Sequence, residues 1–452
     1  MTTSLALQLQ KSPYQSYAYS YPHKTAYRTL PHPQLLRPLW DAEDKSALFL
    51  YIHIPFCMMR CGFCNLFTLA QPRGDMAEHY VQQLINQMQM TAEFLGQSRF
   101  ASFACGGGTP TFLEASQLER LFYAAHKLLE LDLSQTPGGI EISPDTATPE
   151  KLQLCKDIGF TRISMGLQSF YHAEVQALVR KQTWQQVDQA ITRIKAIGFP
   201  ILNLDLIYGI PGQTVSTFLD TLEATLRYAP QELYLYPLYV RAQTGLGKIQ
   251  AKNSIHIAQQ YPEEDLRMQM YCAGRDMLRS AGYEQVSMRM FRRPGSVPSA
   301  AEEVSYSCQN DGMVGLGCGA RSYTRELHYS EEYGVARARI SDILRHYCER
   351  NPQDFLTARY GFRLNREEQQ RRFIIQSLLV FPGLSLADYE TRFNSQCFTD
   401  FPMLQDLIDL ELATLTAQRL TLTDKGMSYA DAIGPWLVSN HVKQLMQNYQ
   451  LE

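Results

Sequence analysis

The chain has 452 residues, which is too long for one small core and suggests two or three domains. Its composition is ordinary for a globular protein, and a formal net charge of −3 argues against broad attraction to nucleic acids or membranes. No apolar run approaches the roughly 20 residues that cross a bilayer. The first residues lack the basic start and apolar core of a signal peptide, so a cytoplasmic location with reduced thiols is expected.

Residues 1 to about 45 are predicted to form an irregular N-terminal arm that is rich in tyrosine. The segment SYAYSYPHKTAYRTL (16–30) shows no clear period and contains proline. Its tyrosines could cover the mouth of the domain that follows, as a lid, and a merely packed or partly disordered arm is at least as strong an alternative. The tyrosines concerned are Tyr14, Tyr17, Tyr19, Tyr21 and Tyr27.

Six apolar, β-like runs then alternate with helical stretches. The runs are residues 47–54, 101–105, 139–142, 161–167, 201–210 and 232–240. Segments between them, such as 75–95 and 214–229, carry apolar residues at helical spacing. Strands that alternate with helices pair in parallel through right-handed crossovers. The sequence therefore predicts an α/β fold over residues 46–345, a partial or complete barrel with functional residues at the carboxyl ends of its strands.

The pattern changes again at about residue 350. Residues 365–381, 386–393 and 401–415 predict helices, and residues 418–430 predict a short hairpin-like end. These elements indicate a small, mostly helical domain of winged-helix type over residues 350–452. Because this region shows no basic recognition stripe, nucleic-acid binding is not expected.

Three cysteines follow the first predicted strand with the spacing C-x3-C-x2-C: Cys57, Cys61 and Cys64. Such a trio can hold three irons of a four-iron cluster and leave the fourth iron open for chemistry on a bound molecule. The alternative is zinc, which prefers four protein ligands, and no paired CxxC lies elsewhere in the chain. His53 could be a fourth ligand, but in an alternating strand it is expected to pack or hydrogen-bond. The spacing favours a cluster over zinc.

The other seven cysteines are scattered and are each interpreted as small apolar residues of the core rather than ligands. They are Cys105, Cys155, Cys272, Cys308, Cys318, Cys348 and Cys397.

Glycines and polar side chains follow the next strands at the same edge. Gly107, Gly108 and Thr109 belong to the turn CGGGTPT, which would let the backbone approach a ligand closely, although a tight turn alone explains it. Glu141 ends the third strand and could bind an ammonium or a ribose hydroxyl, or be a helix cap or a surface charge. Gln168 ends the fourth strand.

Asp205 interrupts the very apolar fifth strand. A charge in a strand that is buried on both faces needs a partner, and Arg180 is the expected one. A purely structural ion pair is an equally weighted alternative to a ligand site. The turn GLGCGARSY (315–323) is a second glycine-rich segment, for which close backbone packing is a sufficient explanation.

Together these motifs are similar to those of the radical S-adenosylmethionine (SAM) superfamily. Within it they resemble the family of the oxygen-independent coproporphyrinogen III oxidase and the haem chaperone HemW. The matching motifs, in family order from about residue 45 to 330, are YIHIPFC, CxxxCxxC, GGGTPT, EISPD, GLQSF, the arginine after it, NLDLIYGIPGQT, GYEQ and GLGCGARSY. The N-terminal arm favours a branch other than the oxidase itself.

The resemblance implies a partial (β/α)6-type radical SAM barrel, with or without an extension. It implies that Cys57, Cys61 and Cys64 ligate a [4Fe-4S] cluster whose fourth iron is chelated by SAM. The residues implied to line the SAM site are Tyr51, Phe63, Gly107, Gly108, Thr109, Glu141, Gln168, Arg180, Asp205 and Tyr239. Some of these positions can serve a second SAM in this family, and the reducing electron would come from a donor of the flavodoxin or ferredoxin type.

The implied activity is reductive cleavage of SAM to methionine and a 5′-deoxyadenosyl radical, which abstracts hydrogen from an unidentified small organic molecule, tetrapyrrole-related if it follows the family. Two alternatives are a HemW-like haem-binding or haem-trafficking protein and a methyltransferase that uses two SAM molecules. Leu66 stands where the oxidase has a further cysteine, and Arg321 replaces the usual His or Ile; both changes weaken an assignment as that oxidase. Arg321 could bind a carboxylate or phosphate, but an ion-pairing or surface role is the favoured alternative.

Overall fold

The computed structural model describes residues 4–10, 12–253, 264–296 and 307–449. Parts of the predicted regions, namely residues 1–3, 11, 254–263, 297–306 and 450–452, lie outside this description. The strands are β1 (Arg28–Leu35), β2 (Leu48–Ile54), β3 (Phe56–Cys57), β4 (Leu69–Ala70), β5 (Phe100–Gly107), β6 (Gly138–Ile142), β7 (Arg162–Gln168), β8 (Ile201–Tyr208), β9 (Glu232–Pro237), β10 (Glu284–Gln285), β11 (Met290–Arg292), β12 (Met313–Leu316), β13 (Arg321–Tyr323), β14 (Leu327–Ser330), β15 (Thr357–Arg363), β16 (Leu384–Ser385), β17 (Ala413–Leu415) and β18 (Arg419–Leu422).

Helices cover most of the segments between these strands. They are α1 (Leu5–Leu9), α2 (Leu36–Asp41), α3 (Met76–Leu95), α4 (Ala115–Leu129), α5 (Pro149–Ile158), α6 (His172–Ala177), α7 (Trp184–Ile197), α8 (Val215–Leu226), α9 (Gly245–Asn253), α10 (Glu264–Ser280), α11 (Cys308–Asp311), α12 (Arg337–Glu349), α13 (Arg366–Leu378), α14 (Leu386–Phe393), α15 (Cys397–Asp400), α16 (Gln405–Asp409), α17 (Asp424–Ser428), α18 (Ala430–Leu437) and α19 (Asn440–Gln447). Short 3-10 turns occur at Lys24–Ala26, Pro110–Phe112, Pro352–Leu356 and Pro402–Leu404.

One large sheet organises the described chain. It has 13 strands in the order β1-β15-β14-β13-β12-β2-β5-β6-β7-β8-β9-β11-β10. The neighbours from β12 to β9 pair in parallel, and the flanking strands pair antiparallel. All six predicted strands are therefore confirmed in the parallel part of an α/β fold, which also includes β12. Strands β11 and β10 extend it at one side, and β13, β14, β15 and β1 extend it at the other.

The parallel strands alternate between two environments. In β8, Leu202, Leu204 and Leu206 are buried on the face covered by helices, whereas Asn203 and Asp205 face the inside of the curved sheet. This period of two places every second residue on the inner face. The polar interruptions in the sequence are thus the inward-facing positions.

The arm differs from the irregular segment that the sequence predicts. Arg28–Leu35 forms β1, which pairs antiparallel with β15 and closes one edge of the large sheet. Tyr14, Tyr21 and Tyr27 are buried in the core, as the packed alternative requires. Strand-forming residues are hard to recognise here because two prolines interrupt the apolar pattern of β1, and proline is tolerated at a sheet edge.

The mostly helical C-terminal region is confirmed. Helices α13 and α14 lie where the sequence predicts them, and β16, β18 and β17 form a small antiparallel sheet beside them. The third predicted helix is shorter than expected, because residues 401–415 divide into a 3-10 turn, α16 and strand β17. Among the described helices, none has the length and apolar character needed to cross a membrane.

Candidate functional site

The cysteine loop leaves the carboxyl end of β2 and is fixed by the backbone of Gly62. The Gly62 N–H donates to the Leu178 carbonyl at 2.9 Å, and its own carbonyl accepts from the Leu246 N–H at 2.8 Å. A Cβ at this position would lie 2.8 Å from a methyl carbon of Val179. Because Gly62 has no side chain, the backbone of Leu178 and that of Leu246 can both approach and hydrogen-bond the cysteine loop.

Each cysteine sulfur has a donor beside it. The pairs are Thr109 Oγ1 with Cys57 Sγ at 3.6 Å, Arg180 Nη1 with Cys61 Sγ at 3.2 Å, and Thr68 Oγ1 with Cys64 Sγ at 3.6 Å. All three thiols are half-buried and free of disulfides. Such hydrogen bonds to sulfur are among the features that set the reduction potential of a thiolate-held iron–sulfur cluster, so the residues present fit that group.

Without a metal, the loop favours neutral thiols. Burial raises the pKa of Cys57 to about 12, and burial likewise raises the pKa of Cys61, against the opposing charge of Arg180. A thiol in this environment loses its proton when a metal binds the sulfur in place of that proton. The loop is therefore suited to bind metal rather than to act as a free nucleophile.

Among the described residues, no three His, Cys, Asp or Glu side chains converge closely enough to hold a single metal ion. A cubane cluster does not need such convergence, because each thiolate ligates a different iron. His53, the candidate fourth zinc ligand, instead has Nε2 within 3.0 Å of the Phe67 carbonyl. Burial lowers its pKa to about 4 and keeps the ring neutral, so the expected hydrogen-bonding role is confirmed.

The glycine-rich turn is built against the entrance of the cysteine loop. Gly108 N–H donates to the Ile54 carbonyl at 2.8 Å, and Thr109 N–H donates to the Phe56 carbonyl at 2.7 Å. Gly107 has φ +109°, and a Cβ there would lie 2.3–2.6 Å from ring atoms of His53. Only glycine fits this position, so the tight-turn explanation holds, and the turn places Thr109 beside Cys57.

Glu141 faces the open inside of the sheet from β6. Its Oε2 accepts from the Gly107 N–H at 2.9 Å, and a Cβ on Gly106 would lie 2.7 Å from its carboxyl carbon. The side chain is reached by solvent through the open sheet, yet the surrounding protein raises the pKa of the carboxyl despite the Gly107 hydrogen bond. It is not a helix cap.

Asp205 lies two strands away on the same inner face. Asn203 Nδ2 donates to its Oδ1 at 2.8 Å and to Ser164 Oγ at 2.7 Å. Burial raises the pKa of Asp205 to about 6, opposed by Asn203 and by the charge of Arg162 and assisted by that of Glu141. The charge of Glu141 raises the pKa of Asp205, and two acidic groups on one inner face mark a place for a positively charged ligand group.

The expected pairing of Asp205 with Arg180 is wrong. Arg180 donates from Nη1 to Cys61, from Nη2 to the Gly166 carbonyl at 2.9 Å and from Nε to Gln182 at 2.6 Å. The reason is that Arg180 follows α6 and reaches the cysteine loop before it reaches the inner face of β8. The positive charge of Arg162 lowers the pKa of Asp205, and the guanidinium of Arg162 itself pairs with Glu232 at 2.6 Å.

Three more residues of the implied SAM site lie around this interior. Gln168 is buried at the end of β7 with φ +71°, beside Gly166, where a Cβ would lie 2.4 Å from its Nε2. The Tyr51 hydroxyl lies 3.3 Å from His53 Nδ1. Phe63 packs against a separate apolar cluster that includes Leu178.

Tyr239 is directed elsewhere. Its hydroxyl donates to the carboxylate of Asp431 in α18, which also pairs with Arg289. Arg289 and Asp431 are 3% and 2% exposed, so this is a buried ion pair between the sheet and the C-terminal region. The structure does not bring the Tyr239 hydroxyl to the cysteines.

The arm contributes residues that the sequence left without a role. Tyr19 Oη lies 3.4 Å from Arg321 Nη1, which also donates to Ser20 Oγ at 3.2 Å. Lys24 Nζ lies 3.6 Å from the ring centroid of Tyr333, and the Tyr333 hydroxyl donates to the carbonyl of Asn65, next to Cys64. Arg321 forms no ion pair among the described residues, so the favoured ion-pairing role is not what the structure shows.

Sequence reasoning missed several of these contacts. Thr68 and Arg162 are common residue types in unremarked positions, and only the folded chain brings them to Cys64 and towards Asp205. Asn203 could have been found, since it is a second polar residue in the apolar strand that contains Asp205. For the turn at 315–323, close packing is confirmed: a Cβ on Gly319 would lie 2.6 Å from His53.

The scattered cysteines are interior residues to different degrees. Cys105, Cys155, Cys318 and Cys397 are buried, and Cys272, Cys308 and Cys348 are half-buried.

Comparison with known families finds two matches along the chain. Residues 51–225 match the Radical SAM superfamily, and residues 364–429 match the HemN C-terminal domain. The first range contains the three cysteines, the glycine-rich turn and the inward-facing carboxylates. The second falls within the helical C-terminal region.

Comparison with individual proteins gives relatives of two kinds. The chain is 26% identical to the haem chaperone HemW of Lactococcus lactis over 85% of its own length and 95% of that protein. It is 28% identical to the oxygen-independent coproporphyrinogen III oxidase of Pseudomonas aeruginosa over 86% and 85% of the two chains. The structure of coproporphyrinogen III oxidase (HemN) from Escherichia coli superimposes with a TM-score of 0.78 at 23% identity, covering 97% of this chain and 100% of that one.

Proposed function

Since the chain belongs to the coproporphyrinogen III oxidase-like (HemN/HemW-like) family of the radical SAM superfamily, we propose that it cleaves SAM reductively at a [4Fe-4S] cluster. Cys57, Cys61 and Cys64 hold three irons, and SAM chelates the fourth. The carrying observation is the cysteine loop itself, in which every sulfur has its own hydrogen-bond donor at the carboxyl edge of the parallel strands. When bound, the cluster and SAM together supply a 5′-deoxyadenosyl radical that abstracts hydrogen from a substrate.

The inner carboxylates provide the binding site for SAM. SAM carries a sulfonium and an ammonium, and Glu141 and Asp205 face the same interior with raised pKa values. A cation between them stabilises both ionised forms, which burial alone disfavours. Gln168 adds a buried amide at the end of the strand between them.

The glycine-rich turn contributes shape more than charge. Gly106 and Gly107 leave the space in which Glu141 approaches the backbone, and the Thr109 side chain reaches Cys57. A ligand on the fourth iron would lie beside this turn, and because the N–H groups of Gly107, Gly108 and Thr109 already donate within the protein, the turn would shape the space for the ligand rather than bind its charge. Gly108 and Thr109 are thus proposed to orient the methionine end of SAM.

The tyrosines of the inner face limit access of water to the radical. Tyr51 on β2 and Tyr234 and Tyr236 on β9 are half-buried. Tyr17 of the arm lies near the β9 pair, since it contributes to the raised pKa of both phenols. Exclusion of water protects a reactive intermediate from side reactions. The substrate is proposed to be a small organic molecule, tetrapyrrole-related, because the relatives act on coproporphyrinogen or are haem chaperones.

Anaerobic reconstitution with iron and sulfide tests this function. The reconstituted protein, given SAM and dithionite, or a flavodoxin or ferredoxin with its reductase, should form 5′-deoxyadenosine and methionine. Alanine at Cys57, Cys61 or Cys64 should abolish both the cluster absorption and the product, whereas Cys272→Ala, a half-buried cysteine outside the loop, should keep both. An intact cluster that yields no 5′-deoxyadenosine would refute the proposal, and S-adenosylhomocysteine among the products would show methyl transfer from a second SAM.

A haem-binding role is the second candidate. Leu66 is 46% exposed at the position where the oxidase has a further cysteine, and HemW relatives match most of the chain. Titration with haem should shift the Soret band if the protein carries haem. If the band does not shift in excess haem and 5′-deoxyadenosine is formed, the haem-binding role is ruled out and only the enzymatic role remains.

A further inference from the structure

Two cations that lie close together, Lys24 and Arg321, pair with no Asp or Glu side chain in the part of the chain that the structure describes. Arg321 lies on β13 and meets only hydroxyls, those of Tyr19 and Ser20, and the rings of Tyr19 and Tyr323. Lys24 lies on the arm over the ring of Tyr333. None of the ion pairs between described residues includes Lys24 or Arg321.

These two cations act on each other and share one neighbour. The phenol of Tyr19 lies between them, and although burial raises its pKa, the charges of Lys24 and Arg321 lower it to about 8. Burial lowers the pKa of Lys24 to about 8, and the charge of Arg321 adds to this, whereas Tyr19 and the nearby Cys64 oppose it. Like charges held together away from solvent destabilise the protein unless an anion joins them.

The position of the pair points to a ligand of the reaction site. Lys24 lies over the ring of Tyr333. The Tyr333 hydroxyl donates to the carbonyl of Asn65, the residue that follows Cys64. The charges of Glu141 and Arg321 both affect the pKa of Tyr51, so the acidic and the basic groups border the same interior. A molecule between these two sets of groups would meet SAM at one end and a pair of cations at the other.

We propose that Lys24, Tyr19 and Arg321 form a binding site for a carboxylate or phosphate group of the substrate. The inference rests on the proposed function, and it narrows the substrate class to molecules with at least one such anionic group. Arg321 offers a planar fork for bidentate contact, Lys24 a point charge and Tyr19 a hydroxyl donor. The arm thus contributes directly to substrate recognition through Tyr19 and Lys24.

Competitive acetylation of lysines tests the site on the reconstituted holoprotein. At pH 8 in phosphate-free buffer, acetylation of each lysine is followed by peptide mass spectrometry with and without pyrophosphate or succinate. Either probe should slow acetylation of Lys24 at least threefold. Lys127 is the matched control, since it also lies over a tyrosine ring, Tyr123, but on the exposed face of α4, and its rate should not change.

Variants and SAM complete the test. Arg321→Gln, with its cluster absorption intact, should abolish the protection of Lys24, whereas Lys127→Gln should preserve it. If that variant does not fold, Tyr19→Phe should weaken the protection instead. Failure of both probes to protect Lys24 in the unmodified protein would overturn the proposal, and so would equal protection by SAM, which would assign the cations to the methionine carboxylate.

The two proposals fail separately. Protection of Lys24 in a protein that forms no 5′-deoxyadenosine would overturn the enzymatic function and leave the anion site standing. Formation of 5′-deoxyadenosine without any protection would do the reverse.

Discussion

The guanidinium of Arg180 donates to the sulfur of Cys61 at 3.2 Å and, through its other terminal nitrogen, to the carbonyl of Gly166 at 2.9 Å. One side chain thereby ties the cysteine loop to the inner strand β7. It also places a permanent positive charge at one ligand of the proposed cluster. This contact leads to a prediction about the potential of that cluster.

Replacing Arg180 by Gln should lower the midpoint potential of the cluster. A charge-assisted hydrogen bond to a ligand sulfur favours the reduced state, so its loss should shift the potential by on the order of 50 mV, about tenfold in the one-electron equilibrium. Redox titration followed by electron paramagnetic resonance measures the shift. Lys181→Gln is the control, because that exposed neighbour meets the loop only through its backbone N–H. An equal shift in both variants would contradict a specific role for Arg180.

Gly107→Ala should destabilise the protein far more than alanine at a glycine with open surroundings. At Gly107, φ is +109° and the new methyl would lie within 2.6 Å of His53; at Gly282, φ is +83° and nothing lies within 4 Å. We expect a loss of about 1 kcal/mol in unfolding free energy at Gly282 and of at least about 3 kcal/mol at Gly107. Denaturant unfolding measures the loss of unfolding free energy in both variants. Similar losses would show that His53 moves away from the new methyl group without a cost in stability.

Asp205→Asn should stabilise the fold while it weakens SAM binding. The folded-state pKa is about 6, above the usual value of 3.8, so the native state holds the extra proton between these values and its stability falls as pH rises through that window. At pH 7.5 the substitution removes the cost of the buried charge, about 1–2 kcal/mol after allowance for partial exposure.

Two measurements separate these effects of Asp205. Denaturant unfolding at pH 7.5 should show the gain, which should shrink as pH falls and vanish below about pH 3, where the carboxyl is protonated in both states. Equilibrium binding should show weaker SAM affinity in the variant, and the unmodified protein should lose affinity below about pH 6. A variant that binds SAM as tightly as the unmodified protein would remove Asp205 from the site.

Asp431→Asn should destabilise the junction between the sheet and the C-terminal region. It leaves Arg289 buried without a counter-charge and weakens the contact of Tyr239, which should cost about 3–5 kcal/mol. Asp424→Asn is the matched control, since its pair with Arg279 joins the same regions but is 36% and 54% exposed and should contribute less than about 1 kcal/mol. Thermal and denaturant unfolding compare the two variants, and equal losses would refute the importance of burial.

Much of the site could be predicted from the sequence because it depends on local signals. Short sequence patterns identify the three cysteines, Cys57, Cys61 and Cys64, and the glycines around Gly107. The strands that precede these patterns are recognisable as apolar runs. The partner of Asp205 could not be predicted in this way. Arg180 and Arg162 are both plausible in the sequence, and the choice depends on which strand and loop face each other after folding.

The N-terminal arm shows the same contrast between features that the sequence reveals and contacts that only the folded structure reveals. Its tyrosines were visible as a cluster, but their roles differ with position: Tyr21 and Tyr27 are core residues, whereas Tyr19 meets Arg321 from a strand about 300 residues later. No local pattern encodes a contact between segments so distant in the chain. The prolines of β1 also concealed an edge strand, because pairing at an edge tolerates a missing N–H.

The sequence by itself determined the six strands with the helices between them and the three thiols that follow the first of these strands, because periodicity and spacing are local properties of the chain; its motifs indicated the family by resemblance. Only the tertiary structure decided which charges meet. It joined Arg180 to Cys61, separated Asp205 from it, and brought Lys24 and Arg321 together with no Asp or Glu partner among the described residues, because those outcomes depend on how strands and loops pack around a shared interior.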